Sequence, residues 1–525
     1  MRRFRATLAW IFLGWTVCAA QPPGLPPSPP AAPTERVLEL SLEDAIRLAL
    51  QNSLDVERAR FGPRIEQTEV IKARAAFDPV LGLDANLSQT KVLPENQVLR
   101  FDPTTGAPIG VEIIRPFSKN GEVTPHLRHR FVTGGSYELR FVNTRENVAP
   151  ASFGTSSRIV DPRYESSLEL QFTHPLLRNF GIAVNTAPIR QAEKAVAIAE
   201  QQLVQTILDT VFAVQQSYWE LVFRIRDLAA RRESLRLAQD FLEENRARVE
   251  LGTLAPIELV QAETQVKVRE GDVIVAEAAV RDAEDRLKEV LNLPQATGTW
   301  ELRLRPTDEP AFAPQPLPSV AETLAEALRQ RPDFLQSQLR IDALRIARDV
   351  ARNQRLPRLD LVALGRLEAF DESFPDSAAN LGEAEGYQWL VGVQFEYPLG
   401  NRFARQELAR RTLELQQAQV EQRRLLLAIE RQIRQALRDL ETASKRVEVT
   451  RAATRLAQTQ LEAEQEKFRL GLSTSFNVLE FQEDLTIARS NETRALSDYN
   501  IALARLDQLT GRLRYGDLAA AALQP

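Results

Sequence analysis

Apolar residues recur along this chain with two different periods. Ile207, Val214, Leu221, Leu228, Leu235, Leu242 and Val249 stand seven apart. Leu426, Ile433, Leu440, Val447, Thr454, Leu461 and Phe468 repeat the series 219 residues later, with Thr454 its one polar member. A seven-residue step returns to nearly the same face of an α-helix, so seven matched heptads predict a long coiled-coil-like helix in each run. The first, from about Thr186 to Leu251, covers 66 residues, or about 100 Å. Gly252 and Gly471 suit the left-handed residue that ends such helices. Return helices are expected over Pro256–Leu291 and Ser475–Leu509, Pro256 fitting a first turn.

Elsewhere the period is two. Leu81, Leu83, Ala85 and Leu87 alternate with Gly82, Asp84, Asn86 and Ser88; Leu168, Leu170 and Phe172 alternate with Glu169, Gln171 and Thr173. Further on, Leu359, Leu361 and Ala363 behave in the same way, as do Trp389, Val391, Val393, Phe395 and Tyr397 against Gln388, Leu390, Gly392, Gln394 and Glu396. Strands with an apolar outside and a polar inside suit a membrane barrel with a wet lumen. A soluble sheet with one face in a core alternates too, so the pattern alone leaves both open. A further strand, Tyr137 to Asn143, either replaces part of the Leu81 strand or forms an extra extracellular hairpin.

The two periods belong to a duplicated unit. Ser41-Leu42-Glu43-Asp44-Ala45-Ile46-Arg47-Leu48-Ala49-Leu50 is echoed 278 residues later from Ser319 to Leu328, and the same shift takes Asp55 to Asp333, Ala73 to Ala351 and Pro79 to Pro357. Later the shift falls to 219, as Arg248-Val249-Glu250-Leu251-Gly252 maps onto Lys467-Phe468-Arg469-Leu470-Gly471. The difference, 278 − 219 = 59 residues, marks an insertion in the first copy, about 93–162. Each copy opens on a capped helix, Ser41 with Asp44 and Ser319 with Glu322. Two strands per copy give an expected four strands per chain. The expected organisation is a leader at 1–20, a proline-rich linker at 21–36, a first repeat at 37–300, a linker at 301–318, a second repeat at 319–512 and a tail at 513–525.

The amino terminus adds location. Arg2, Arg3 and Arg5 precede an uncharged stretch from Ala6 to Val17 and then Cys18-Ala19-Ala20, the form of a secretory signal peptide cut after Ala20. A lipoprotein signal acylated at Cys18 is the rival, but Trp15 and Val17 fit its cleavage site poorly. Cleavage leaves no cysteine and shifts the formal charge from −5 to −8, three arginines being removed. With 66 basic and 71 acidic residues, no general attraction to nucleic acid is expected. His126, His129 and His174 lack zinc-site spacing, and phosphate loops and nucleophile elbows are absent. No enzyme, metal or cofactor site is expected.

A leader, a duplicated helix–strand–strand–helical hairpin unit and no enzyme motif resemble the TolC-like outer-membrane efflux proteins. The resemblance runs from about Leu40 to Arg512. Its most specific pieces are Ala45 to Leu50 with Asp55, Asp333 behind Arg331-Pro332, Pro398-Leu399-Gly400-Asn401, and Phe468 to Thr474 before Val478-Leu479, with His174 to Arg178 matching the strand-to-helix junction of the first copy. The resemblance implies a mainly α fold with membrane β: a homotrimer whose twelve-stranded β-barrel sits in outer-membrane lipid and continues as a long periplasmic α-helical barrel. It implies a periplasmic adaptor and an inner-membrane transporter as partners. Four strands cannot close a barrel, and lipid does not tolerate open edges, so chains must pool their strands. Two chains would give eight strands filled by side chains, and three give twelve with a lumen. A structural periplasmic coiled coil remains the alternative class.

The resemblance also assigns sites. The tips Leu251-Gly252-Thr253 and Leu470-Gly471-Leu472, with Ser473 beside them, would meet the adaptor, unless each glycine is only a helix cap. Acidic rings that narrow the periplasmic mouth match Asn477 and Glu480, where Asn477 departs from the acidic pattern. Ser473 stands where some members carry an arginine, and Glu258 matches the acid such an arginine would meet, so that link is expected to be missing. Three Glu480 carboxylates around an axis would repel one another and attract cations.

Overall fold

Both periodicities become elements where the sequence places them. The computed structural model describes residues 37–91, 97–113, 117–148, 162–252, 255–293, 300–313 and 316–512. The leader, the proline-rich linker, the tail and Thr253 lie outside the described residues. The first copy begins with strand β1 (Val37–Leu40) and helices α1 (Leu42–Asn52) and α2 (Leu54–Arg74). Strands β2 (Val80–Lys91), β3 (Gln97–Phe101), β4 (Pro108–Ile113), β5 (Phe117–Arg130), β6 (Ser136–Val148) and β7 (Arg163–Pro175) follow. A single turn, α3 (Ile182–Asn185), leads into α4 (Ala187–Glu250) and its return α5 (Pro256–Leu291). Strand β8 (Arg303–Pro306) lies in the linker, and the second copy follows as α6 (Val320–Gln330), α7 (Pro332–Asn353), β9 (Arg358–Asp371), α8 (Phe374–Asn380), β10 (Gly386–Glu396), α9 (Arg402–Arg469) and α10 (Ser475–Thr510).

The helix starts are capped as expected. Ser41 Oγ accepts from the Asp44 amide at 3.1 Å. Ser319 and Glu322 close a complete capping box. The long helices, 64 and 68 residues, are each followed by a 36-residue return. In α9 the heptad line is buried as expected at Ile433, Leu440, Val447, Leu461 and Phe468. In α4 it is buried only at Ile207, Val214 and Leu221; beyond these Asp227, Ser234 and Phe241 take over, one residue earlier. The cause is a second neighbour, since α4 packs against α10 as well as α5. Leu228, Leu235 and Leu242 are left half-buried against the apolar clusters.

A separate core holds the two copies together near their starts. β1 and β8 pair in parallel. Fully buried Tyr218 of α4 sits beneath them, its single Oη proton shared between the Leu40 carbonyl at 3.1 Å and Asp308 Oδ2 at 2.9 Å. Burial raises the Tyr218 phenol well above its ordinary value. Arg331, from the Arg331-Pro332-Asp333 motif, forks onto Asp333 and reaches Gln432 Oε1 at 2.6 Å and the Leu509 carbonyl at 3.4 Å. That motif is structural glue between α7, α9 and α10.

One antiparallel sheet collects strands from both copies, in the order β10-β9-β7-β6-β5-β2. The expected count of four strands per chain in this sheet is therefore corrected to six among the described residues. The Tyr137–Asn143 segment neither replaces the Leu81 strand nor leaves the sheet; it becomes β6, paired to β5 and β7 in continuous register. Sequence alternation in β5 is interrupted by Pro125 and His129 on its apolar side, which hid it from a reading based on period.

The register sorts the sheet into two faces. Leu81, Leu127, Leu139, Leu170, Gly365 and Trp389 lie in one row across all six strands. The adjacent row on the opposite face is Gly82, His126, Arg140, Glu169, Arg366 and Gln388. Arg366 lies 3.4 Å from Glu169 and 3.2 Å from Glu165, and His126 lies 3.3 Å from Asp84, an acidic neighbour that only strand pairing supplies. At the end of the sheet nearest the helices, His129, Phe131, Tyr137, Phe172, His174 and Phe180 form a chain of ring contacts on the apolar side. At the far end α8 rests on β7 through the Ser166–Ser377 hydroxyl contact, 2.9 Å.

Candidate functional site

The end of the molecule farthest from the sheet is made by the two helix reversals. At Leu470 the chain leaves α9, and Gly471 takes φ +74°. The Gly471 amide donates to the Phe468 carbonyl (3.1 Å) and the Leu472 amide to the Lys467 carbonyl (2.8 Å), the paired bonds of a Schellman ending. These bonds satisfy two carbonyls left over at the end of α9. Gly252 repeats the conformation at the end of α4, with φ +71° and a bond to the Val249 carbonyl. Leu251, Leu470 and Leu472 are 78%, 67% and 76% exposed. Three large apolar side chains thus stand in water on rigid turns, which is the form of a contact surface.

Behind the second tip lies a polar knot that the sequence does not announce. Glu464, on the inner face of α9, is buried. Its carboxylate receives Ser473 Oγ and, at 2.9 Å, Lys467 Nζ. Asn477 Nδ2 donates to the same Ser473 hydroxyl at 3.2 Å. The bond from Ser473, and then those from Lys467, hold the Glu464 carboxyl below its ordinary value. Its contribution is therefore fully present above the ordinary carboxylate range and is lost as pH falls through the lowered value. Ser473 is thus tied to Glu464 rather than to Glu258.

The three expected mouth residues do not share one environment. Glu480 is exposed and makes no ion pair among the described residues. Asn477 is half-buried and committed to the knot. Glu258, in the first turn of α5, is also half-buried, and its Oε2 is a buried oxygen without a hydrogen-bond partner among the described residues. Thr253 lies outside the described residues.

Above the tips, the first and second hairpins meet through a shared apolar cluster, with Phe241 and Val266 packed among Leu461, Phe468, Leu479 and Leu485, and through a series of polar links. Asn245 Nδ2 donates to Ser475 Oγ at 3.0 Å, and Ser490 Oγ donates to Asp227 Oδ1 at 2.5 Å. Arg494 meets Glu220 at 2.7 Å and lies over the Phe223 ring, and Gln508 Nε2 donates to Asp209 at 2.6 Å. Midway sits Arg269 of α5, 2% exposed, donating to Ser234 Oγ, to Glu483 Oε2 at 2.7 Å and to the Leu479 carbonyl at 3.0 Å. Burial lowers its pKa, opposed by Glu483 and Asp272. Arg269 thus grips α10 one turn from Glu480. One aromatic contact, Phe241–Phe468 at 5.2 Å, crosses nearer the tips. No group of three or more metal-ligating side chains occurs among the described residues, and none of their helices is long and apolar enough to cross a membrane.

Comparison with known proteins agrees with this geometry. The profile of the family described as outer membrane efflux protein matches residues 151–293 and 323–512. Outer membrane efflux protein BepC of Brucella suis is 25% identical over 356 residues, covering 67% of this chain and 74% of that protein. Outer membrane protein TolC of Vibrio cholerae is 24% identical over 362 residues, covering 65% and 75%. Among solved structures, the Campylobacter jejuni CmeC outer membrane channel superposes with a TM-score of 0.63 at 15% identity, over 92% of this chain and 89% of that one. The Vibrio cholerae outer membrane protein VceC does so at 0.60 and 18%, over 90% and 96%.

Proposed function

The chain belongs to the outer membrane efflux protein family, a family of channels rather than enzymes, and on that premise we propose that it is the exit duct of a tripartite efflux or type I secretion assembly. Three copies pool their sheets into a barrel in outer-membrane lipid, and their helical hairpins form a tube through the periplasm. The leader delivers the chain to that compartment. The exposed leucine tips receive a periplasmic adaptor, which joins the duct to an inner-membrane transporter. One observation carries the reading: a sheet with one apolar and one charged face continues directly into helices about 100 Å long. A sheet of that kind needs lipid on one side and water on the other, and the helices supply the reach.

Fractionation tests it against a structural periplasmic coiled coil. The protein should appear in the outer membrane as a heat-modifiable trimer, co-purify with an adaptor, and be required for export of at least one substrate. Recovery in the soluble periplasmic fraction would refute the duct.

Glu480 is placed in the mouth by the same reading. Three carboxylates converging there favour cations, so Glu480→Gln should reduce cation selectivity and block by multivalent cations in planar bilayers, several-fold in blocking concentration. An unchanged reversal potential together with unchanged block would remove Glu480 from the pore.

A further inference from the structure

The sheet is wider than the proposed duct requires, and its edges are bare. β2 and β10 have neighbours on one side only, and they expose Leu81, Leu83 and Leu87 on one edge and Trp389, Val391 and Phe395 on the other, each at 65–89%. An unpaired edge of this length is untenable in lipid, where no water can satisfy its amides and carbonyls. The added strands β5 and β6 do not cover either edge. They stand inside the sheet between β2 and β7, and they extend both faces without a break: Leu127 and Leu139 continue the apolar row, His126 and Arg140 the polar one. Their hairpin turn also reaches the helical end of the sheet. The Gly181 amide donates to the Thr133 carbonyl at 3.0 Å, and Arg130 donates to Asn185 at 3.2 Å.

We infer that the insertion widens the membrane pore: three copies close edge to edge, β10 of one chain against β2 of the next, into a barrel of three times six, or eighteen, strands. The partner at each edge is a second copy of this chain, and the inference rests on the trimeric duct proposed above. Parity supports it. β2 runs away from the helices and β10 runs back, so adding a pair of strands preserves antiparallel closure between copies, which a single added strand would destroy. Size supports it too. With strands about 4.8 Å apart and tilted about 40°, twelve strands give a radius of about 12 Å and eighteen about 18 Å. A ring of twelve helices, four per chain, packed about 8–10 Å apart has a radius of about 15–19 Å. The wider barrel matches that tube without a constriction, and its cross-section is about twice that of twelve strands. The duct is thereby suited to bulkier cargo than a twelve-stranded mouth admits.

Cysteine accessibility tests this, since the only cysteine of the sequence, Cys18, lies in the leader. Single variants Leu139→Cys and Glu138→Cys place neighbouring thiols on opposite faces of β6, and Val391→Cys marks the apolar face of β10. In outer-membrane vesicles holding the trimer, verified by chemical cross-linking and mass, a water-soluble maleimide should label Glu138→Cys at least tenfold faster than Leu139→Cys. Leu139→Cys should be as protected as Val391→Cys. Rapid labelling of Leu139→Cys with Val391→Cys protected would overturn the wider barrel and leave the duct standing. Rapid labelling at both positions, or a complex other than a trimer, would overturn the duct itself.

Discussion

Gly471→Val should leave trimers assembled in the membrane and abolish export. The residue sits at φ +74° with nothing within 4 Å of an added Cβ, so the substitution meets no steric wall outside its own backbone. The cost lies in the conformation. A β-branched residue in the left-handed region is strained by about 1–3 kcal/mol. The turn relieves that strain by abandoning its two Schellman bonds, and Leu470 and Leu472 then move from the positions the glycine gave them. The sheet and the Tyr218 core are remote from this change, so folding and assembly are spared. Gly471→Ala, less strained, should retain partial export. Heat-modifiable trimer and exported substrate are measured side by side; normal export from Gly471→Val would reduce the tip to a helix cap.

Val391→Arg is expected to cost about 2–4 kcal/mol in each chain, because it places a guanidinium on the lipid side near the middle of the barrel wall. Val391 pairs with Ala363 within the apolar face and is 65% exposed in the single chain. Gln394, paired with Asp360 on the charged face, should accept arginine with little loss. Trimer yield after refolding into lipid decides the matter, and equal yields for the two variants would mean that the faces have been assigned the wrong way round.

Much of this architecture is legible in the sequence because it is periodic. The heptads of α9, both glycine turns, both caps and the alternation in β2, β7, β9 and β10 are local signals, and each marks where its element lies, although β7 begins five residues before Leu168 and β9 runs eight past Ala363. What period cannot carry is partnership. The shift of the buried line in α4 sets Asp227 against Ser490 of α10, about 260 residues away in the chain, and Ser234 against Arg269 of α5. Arg269 looks like any charged residue on a helix until Ser234, Glu483 and the Leu479 carbonyl surround it. The Tyr137–Asn143 strand is legible, but the β5–β6 pair is not, for another reason. Its apolar face is composed partly of Pro125, His129 and Asn143, residues that read as polar or irregular in a single strand and become one face only in register. For the mouth, the sequence names Asn477, Glu480 and Glu258 by resemblance. Geometry separates them into one residue held in a knot, one exposed and one with an unpartnered oxygen.

The seam between the hairpins has a mechanical meaning. Within each hairpin the helices are joined by apolar burial, and parting them would wet oil at about 25 cal/mol for each Å². Across the seam, apart from the cluster of Phe241, Val266, Leu461, Phe468, Leu479 and Leu485 near the tips, the links are amide, hydroxyl and charged groups: Asn245–Ser475, Asp227–Ser490, Glu220–Arg494 and Asp209–Gln508. Water can replace such links one at a time, and the net loss for each is small, about 0.5–1.5 kcal/mol for a neutral hydrogen bond. The seam is therefore graded, clamped by the apolar cluster behind the leucine tips and exchangeable with water, link by link, along its polar stretch.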